Sequence, residues 1–195
     1  MITDKEENIK FEILIQAQKL FQQYGVKKTT MDEIAVACGK AKSTLYHYFI
    51  NKEEVFDAVI QMEVVSLRKH VKSKVEEHSR MIDKIMIYVL EFYREIINRA
   101  NLYRIINKEH PAEVTGRKNF MKMMEFEKSY ITRILEDGYD CGEYKNVNRQ
   151  DIPWIAETFL AAFYGTVLFV MEKEGYFNEE EIVKAVHYFV PKLLA

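Results

Sequence analysis

The sequence predicts an all-α chain, with a small N-terminal unit of three helices followed by a larger helical domain. Three observations carry this. Seven Gly and three Pro in 195 residues are less than half the average combined usage of about 12%, too few for the turns that sandwiches and barrels need every few residues. Hydrophobic residues at 48% with charged residues at 30% describe a core-forming chain rather than a disordered one. Apolar residues also recur at three- and four-residue intervals along most of the length.

Each element follows from its own signals. Ile9, Ile13, Leu14, Ala17, Leu20, Phe21 and Tyr24 form the stripe of a first amphipathic helix, which Gly25 ends as a left-handed C-cap. Thr30-Met31-Asp32-Glu33 has the spacing of a capping box, so a second helix opens at Thr30. It should bury Ile34 and Ala37 and stop by Gly39. A third short helix covers 42–49. Asn51 caps a fourth, with Glu53 and Glu54 placed where the helix dipole favours acids.

Longer helices follow. One broad apolar face runs from Ile82 to Ile97, and His110-Pro111 breaks the chain. Phe120, Met123, Met124, Tyr130, Ile131, Ile134 and Leu135 mark the next helix, ended by the turn-rich Asp137-Gly138-Tyr139-Asp140-Cys141-Gly142. Two final helices are expected over 151–173 and 178–194. The domain boundary is drawn inside the fourth helix, giving 1–55 and 56–195.

The uncharged run 158–171 is short of the ~20 residues a membrane span needs and reads as a bundle helix buried on both sides. Residues 1–7 are acidic and polar, unlike a secretory leader. Cys38 and Cys141 are far apart and form no CxxC pair, which fits a reducing compartment. The expected location is cytoplasmic, with no membrane partner.

The chemistry concentrates in the tip. Two short helices joined by Cys38-Gly39-Lys40-Ala41 make a tight corner for which Gly39 supplies positive φ. In the second helix Leu45 and Phe49 are four apart and face inward. Ser43, Tyr46 and His47 then lie outside, with Lys42 and Thr44 in the first turn. A short helix that presents hydroxyls, a lysine, an imidazole and an aromatic suits the reading of double-stranded DNA. Between 27 and 52 five lysines face only Asp32 and Glu33, a net +3, while the whole chain carries −2. A basic tip on an acidic body steers the tip toward phosphate.

These stretches, Thr30-Met31-Asp32-Glu33-Ile34-Ala35, Cys38-Gly39, Ser43-Thr44-Leu45-Tyr46-His47-Tyr48-Phe49 and Asn51-Lys52-Glu53-Glu54-Val55-Phe56, resemble the helix-turn-helix of TetR-family transcriptional regulators. The resemblance is specific over about residues 9 to 60. Beyond it only the helix pattern and the Gly142-Glu143-Tyr144 turn are similar. It implies a dimeric, all-helical, ligand-responsive repressor. By position, Thr29 and Thr30 would hold a phosphate, Lys42, Ser43 and Thr44 would open the recognition helix, Tyr46 and His47 would reach backbone or base edges, and Lys52 would grip a phosphate. The chain departs from the family at Lys40-Ala41, where an apolar residue and a hydroxyl N-cap are usual. Loss of that cap costs ~1 kcal/mol, and Lys40 offers a further phosphate contact.

Met and aromatic residues crowd the larger domain. Tyr88, Phe92, Tyr103, Met121, Met124, Tyr130 and Trp154 are candidates to line an apolar effector pocket, although most residues at helical spacing simply pack the core. Phe159, Ala162, Phe163, Thr166 and Val170 on the penultimate helix, with Val186 and Phe189 on the last, are the candidate dimer interface, in which two helices from each subunit form a four-helix contact.

No metal or catalytic pattern competes. The five histidines (47, 70, 78, 110 and 187) form no HExxH, and no Gly-rich phosphate loop or GxSxG occurs. No cofactor is expected. The function expected is a homodimeric repressor of a palindromic operator, released by a small apolar or aromatic effector. The alternative is a helical enzyme or interaction module in which the helix-turn-helix is only structural.

Overall fold

The computed structural model describes residues 4–98, 114–144, 147–172 and 179–194; within these, the side chains of residues 4, 114–123, 167–172 and 193 are not described. The elements are α1 (Asp4–Tyr24), α2 (Met31–Ala37), α3 (Lys42–Tyr48), α4 (Lys52–Glu76), α5 (Met81–Asn98), α6 (Val114–Asp140), a 3₁₀ turn (Arg149–Asp151), α7 (Ile152–Glu172) and α8 (Glu179–Leu194). The described residues contain no strand, so the all-α expectation holds. None of the described helices is long and apolar enough to cross a membrane. His110-Pro111 lies outside the described residues. The chain divides into two compact units inside α4, one running to Leu67 and the other starting at Arg68.

The first unit is built around Ile13, Ala17, Phe21, Ile34, Leu45, Phe49, Val55 and Val59, all nearly inaccessible to solvent. Their i, i+3, i+4 spacing on α1 and α4 turns one stripe of each helix inward. Phe21 meets Phe56 edge-on at 5.4 Å, a geometry that suits the ring quadrupoles. Gly25 takes φ 83 and ends α1 as expected. Tyr24 departs from its stripe and is exposed. On α2 the buried residues are Met31, Ile34 and Ala35, whereas Ala37, expected inside, is exposed. The inward stripe is centred between Ile34 and Ala35, and Ala37 lies about a third of a turn away from it.

In the second unit α5 packs on α6 and α8, and α6 packs on α7. Its centre is aromatic. Tyr88, Phe92 and Phe163 have ring centroids 5.2–6.0 Å apart, and Tyr164 meets Phe92 at 5.8 Å. Inside this apolar setting sits a carboxylate, Glu127, which is 3% exposed. Arg68 Nε donates to its Oε1 at 2.6 Å and the Tyr88 hydroxyl donates to its Oε2 at 2.9 Å. Burial, reinforced by the Glu127 charge, holds the Tyr88 hydroxyl protonated well beyond its ordinary range.

The helix end near Gly142 differs from expectation. The sequence places the turn from Asp137 onward, yet α6 runs to Asp140. Glu143 N donates to the Gly138 carbonyl and Gly142 N to the Tyr139 carbonyl, with Gly142 at φ 72. That pair of bonds is a Schellman ending. Gly138 is helical, and its missing side chain makes room for the Tyr144 ring. Glu143 then reaches the adjacent start of α5, where its carboxylate accepts from Met81 N and Ile82 N at 2.9–3.3 Å and caps that helix.

Candidate nucleic-acid interface

The corner between α2 and α3 is built from its termini. Thr30 accepts from Glu33 N at 3.2 Å while the Glu33 carboxylate accepts from Thr30 N at 2.8 Å, the reciprocal capping box of the sequence. The far end closes as a Schellman motif, with Lys40 N donating to the Ala35 carbonyl, Gly39 N to the Val36 carbonyl and Gly39 at φ 60. α3 starts at once. Its N-cap Ala41 offers no side-chain hydrogen bond, so two ion pairs border its start: Lys40 Nζ to Glu12 Oε2 of α1 at 3.1 Å, and Lys42 Nζ to Asp32 Oδ1 of α2 at 2.7 Å.

Leu45 and Phe49 are at 0% and 2% exposure and fasten α3 to the core. The opposite face is open. Lys42, Ser43, Tyr46 and His47 are exposed and Thr44 is half-buried. Tyr46 is 45% exposed, with the Lys42 ammonium 5.9 Å from its ring centre, and His47 stands edge-on to Tyr48 at 5.1 Å. α4 begins behind this face, where Asn51 Oδ1 accepts from Glu54 N at 2.8 Å as its expected cap. Lys52 Nζ donates to the Lys27 carbonyl at 3.3 Å, tying the α1–α2 loop to α4.

Thr29 differs from its neighbours. It is 1% exposed and its hydroxyl donates to the Gly25 carbonyl at 2.8 Å, so the side chain secures the turn rather than facing a phosphate. The Thr30 hydroxyl faces solvent but is held by the capping box. Lys40 is 30% exposed, against 58% for Lys42. The sequence missed the two acids, Glu12 and Asp32, that engage these lysines. Ten residues separate Asp32 from Lys42, and only the corner brings them together.

The expected pocket residues scatter. Tyr88 and Phe92 are buried in the aromatic centre, and Met124 and Tyr130 are half-buried. Tyr103 and the Met121 side chain lie outside what is described. Trp154 is 69% exposed, so it lines no interior site in this chain. It heads an outward stripe of α7 that continues through Thr158, Ala161, Ala162, Gly165 and Thr166, all exposed. α7 is therefore buried on one side only, not on both. Among the expected interface residues, Ala162, Thr166 and Phe189 are exposed and Phe159 is half-buried. Phe163 and Val186 are each 7% exposed, already buried by their own subunit and closed to a partner. The Val170 side chain lies outside what is described. No group of three or more His, Cys, Asp and Glu fit to hold a metal ion occurs among the described residues.

Known proteins share this arrangement. Residues 13–59 match the family described as bacterial regulatory proteins, tetR family. The chain is similar to the HTH-type transcriptional regulator YhgD of Bacillus subtilis, 27% identical over 191 residues, covering 94% of this chain and 95% of that protein. It is 22% identical to IcaR, the HTH-type negative transcriptional regulator of the biofilm operon icaADBC of Staphylococcus aureus, covering 94% and 100%. Its fold is that of the transcriptional regulator FadR of Bacillus subtilis, solved in complex with stearoyl-CoA, with TM-score 0.69, 17% identity and coverage of 95% and 97%. Residues 13–59 thus carry the helix-turn-helix of the tetR family of bacterial regulatory proteins, and over nearly its whole length the chain is similar to HTH-type transcriptional regulators.

Proposed function

We propose that the protein is a homodimeric, cytoplasmic repressor that reads a palindromic operator with the outer face of α3 and is released by a small apolar or aromatic effector. The observation that carries the reading is the two-sidedness of α3: Leu45 and Phe49 are buried while Lys42, Ser43, Tyr46 and His47 are open. Ser43, Tyr46 and His47 reach base edges or sugar–phosphate. Lys42, Lys52 and, at the rim, Lys40 meet phosphates, and the backbone at Thr30 sits beside them. The compact unit that runs to Leu67 serves as the reading unit, longer than the expected 1–55, and the unit that starts at Arg68 serves as the effector and dimer unit.

The outward stripe of α7 supports dimerisation. Ala161, Ala162 and Gly165 are small enough for close helix approach, and exposed Tyr188 and Phe189 on α8 supply apolar area that a twofold contact removes from water. One short recognition helix reads too few bases alone, whereas two heads spaced by about one helical turn, ~34–36 Å, read a palindrome. The aromatic centre around Tyr88 and Phe92 supports an apolar effector, and the stearoyl-CoA complex of FadR is consistent with this fold admitting an acyl chain. Such a ligand acts by binding better to a DNA-incompetent arrangement, with a coupling of about 1–3 kcal/mol.

Sequencing the genomic fragments that the purified protein retains, followed by footprinting, tests the reading. A shared inverted repeat protected on one DNA face supports it. Retention without any common sequence contradicts it.

A further inference from the structure

The two acids in the first turn of α2 behave differently. Glu33 turns back to close the capping box on Thr30. Asp32 reaches across the corner instead and takes the Lys42 ammonium with both oxygens, at 2.7 and 3.0 Å. Helix stability does not require this second acid, because Glu33 already supplies a negative charge at the α2 N-terminus. Lys42 is itself at odds with its helix. It occupies the first position of α3, where the dipole disfavours a cation, and α3 has no acid in its first turn. A lysine held there needs an anion from outside the helix. In the free chain that anion is Asp32, and the pair sits on the open side of the head, with the lysine 58% and the carboxylate 63% exposed.

We propose that Asp32 is an internal counter-ion of the recognition helix, competing with DNA phosphate for Lys42 and so lowering the affinity of the head for duplex DNA. The inference rests on the DNA-binding reading above and adds a residue that tunes it. The hydrogen bond that Lys42 donates to Asp32, with the charge of that carboxylate, raises the Lys42 pKa, which keeps the ammonium charged and engaged. An exposed pair of this kind is weak, so a phosphate can displace it, and the restraint is graded rather than absolute.

The test compares the wild type, Asp32→Asn, Lys42→Ala and the double variant on random-sequence duplex DNA across a salt series, with thermal melting as the folding control. Asp32→Asn is expected to bind about 3- to 10-fold more tightly. Its plot of log affinity against log salt should be steeper by about one unit, because one more lysine contacts phosphate. In the double variant that gain should disappear, making Lys42→Ala more damaging when combined with Asp32→Asn than when made in the wild type. Unchanged or weaker binding by a folded Asp32→Asn protein would overturn the proposal. So would a gain that persists without Lys42, since that gain would reflect general repulsion alone. A wild type that shows no salt-dependent binding even at low salt would instead overturn the DNA-binding reading beneath it.

Discussion

Glu127 shows how a single residue governs the second unit. Its carboxylate is almost wholly buried and is held by Arg68 and Tyr88 from two other helices. Such a pair contributes little net stability against an apolar replacement, but removing one partner strands the other. Glu127→Ala should therefore destabilise the protein by about 3 kcal/mol, lowering Tm by roughly 6–12 °C. Replacing all three members, as Arg68→Met and Tyr88→Phe with Glu127→Leu, should recover most of that loss. Thermal melts of these two variants beside the wild type check it, and equal damage in the single and the combined variant would contradict the assignment. The sequence does not disclose this triad, because its members lie 59 and 39 positions apart and meet only through the packing of α4, α5 and α6. Thr29 is equally hidden. A threonine beside a capping threonine looks like a phosphate ligand until the Gly25 turn folds its hydroxyl inward.

Helix ends are the elements on which the first unit depends. The N-cap of α2, the Gly39 corner and the Asn51 cap are legible in the sequence, since capping needs only local residues at fixed offsets. The start of α3 is the uncapped exception. Ala41→Ser should supply the missing acceptor and stabilise α3 by ~1 kcal/mol, read as slower amide hydrogen exchange over 42–48; unchanged exchange would show that the ion pairs at Glu12 and Asp32 already suffice. The end of α6 departs from its sequence signal for a different reason. Gly138 signals a turn locally, yet it is glycine because the Tyr144 ring occupies the space of a side chain. Gly138→Ala should cost about 1–3 kcal/mol by overpacking, measured by denaturant midpoint, and Gly138→Ala with Tyr144→Ala should restore part of it. An unaffected single variant would mean that the ring moves aside freely.

At the scale of the whole molecule, the periodicity of the apolar residues gave the helix order, while the faces left for a partner needed coordinates. Phe163 and Trp154 illustrate the exchange. Both are large and apolar, but their positions on α7 send the first into the aromatic centre and the second to solvent. The proposed dimer contact is therefore assigned to the outward stripe, and Ala162→Arg should shift the protein toward monomer without loss of helicity, measured by light scattering and circular dichroism. A dimer that tolerates Ala162→Arg would move the interface elsewhere. If the outer face of α3 binds DNA, a salt titration of duplex binding by the wild type and Tyr46→Ala must show it. For the wild type, log affinity should fall linearly with log salt, and Tyr46→Ala should lose roughly tenfold or more on the selected operator, about 1–3 kcal/mol, with an unchanged melting temperature. Equal affinity of the two proteins for that operator would contradict it.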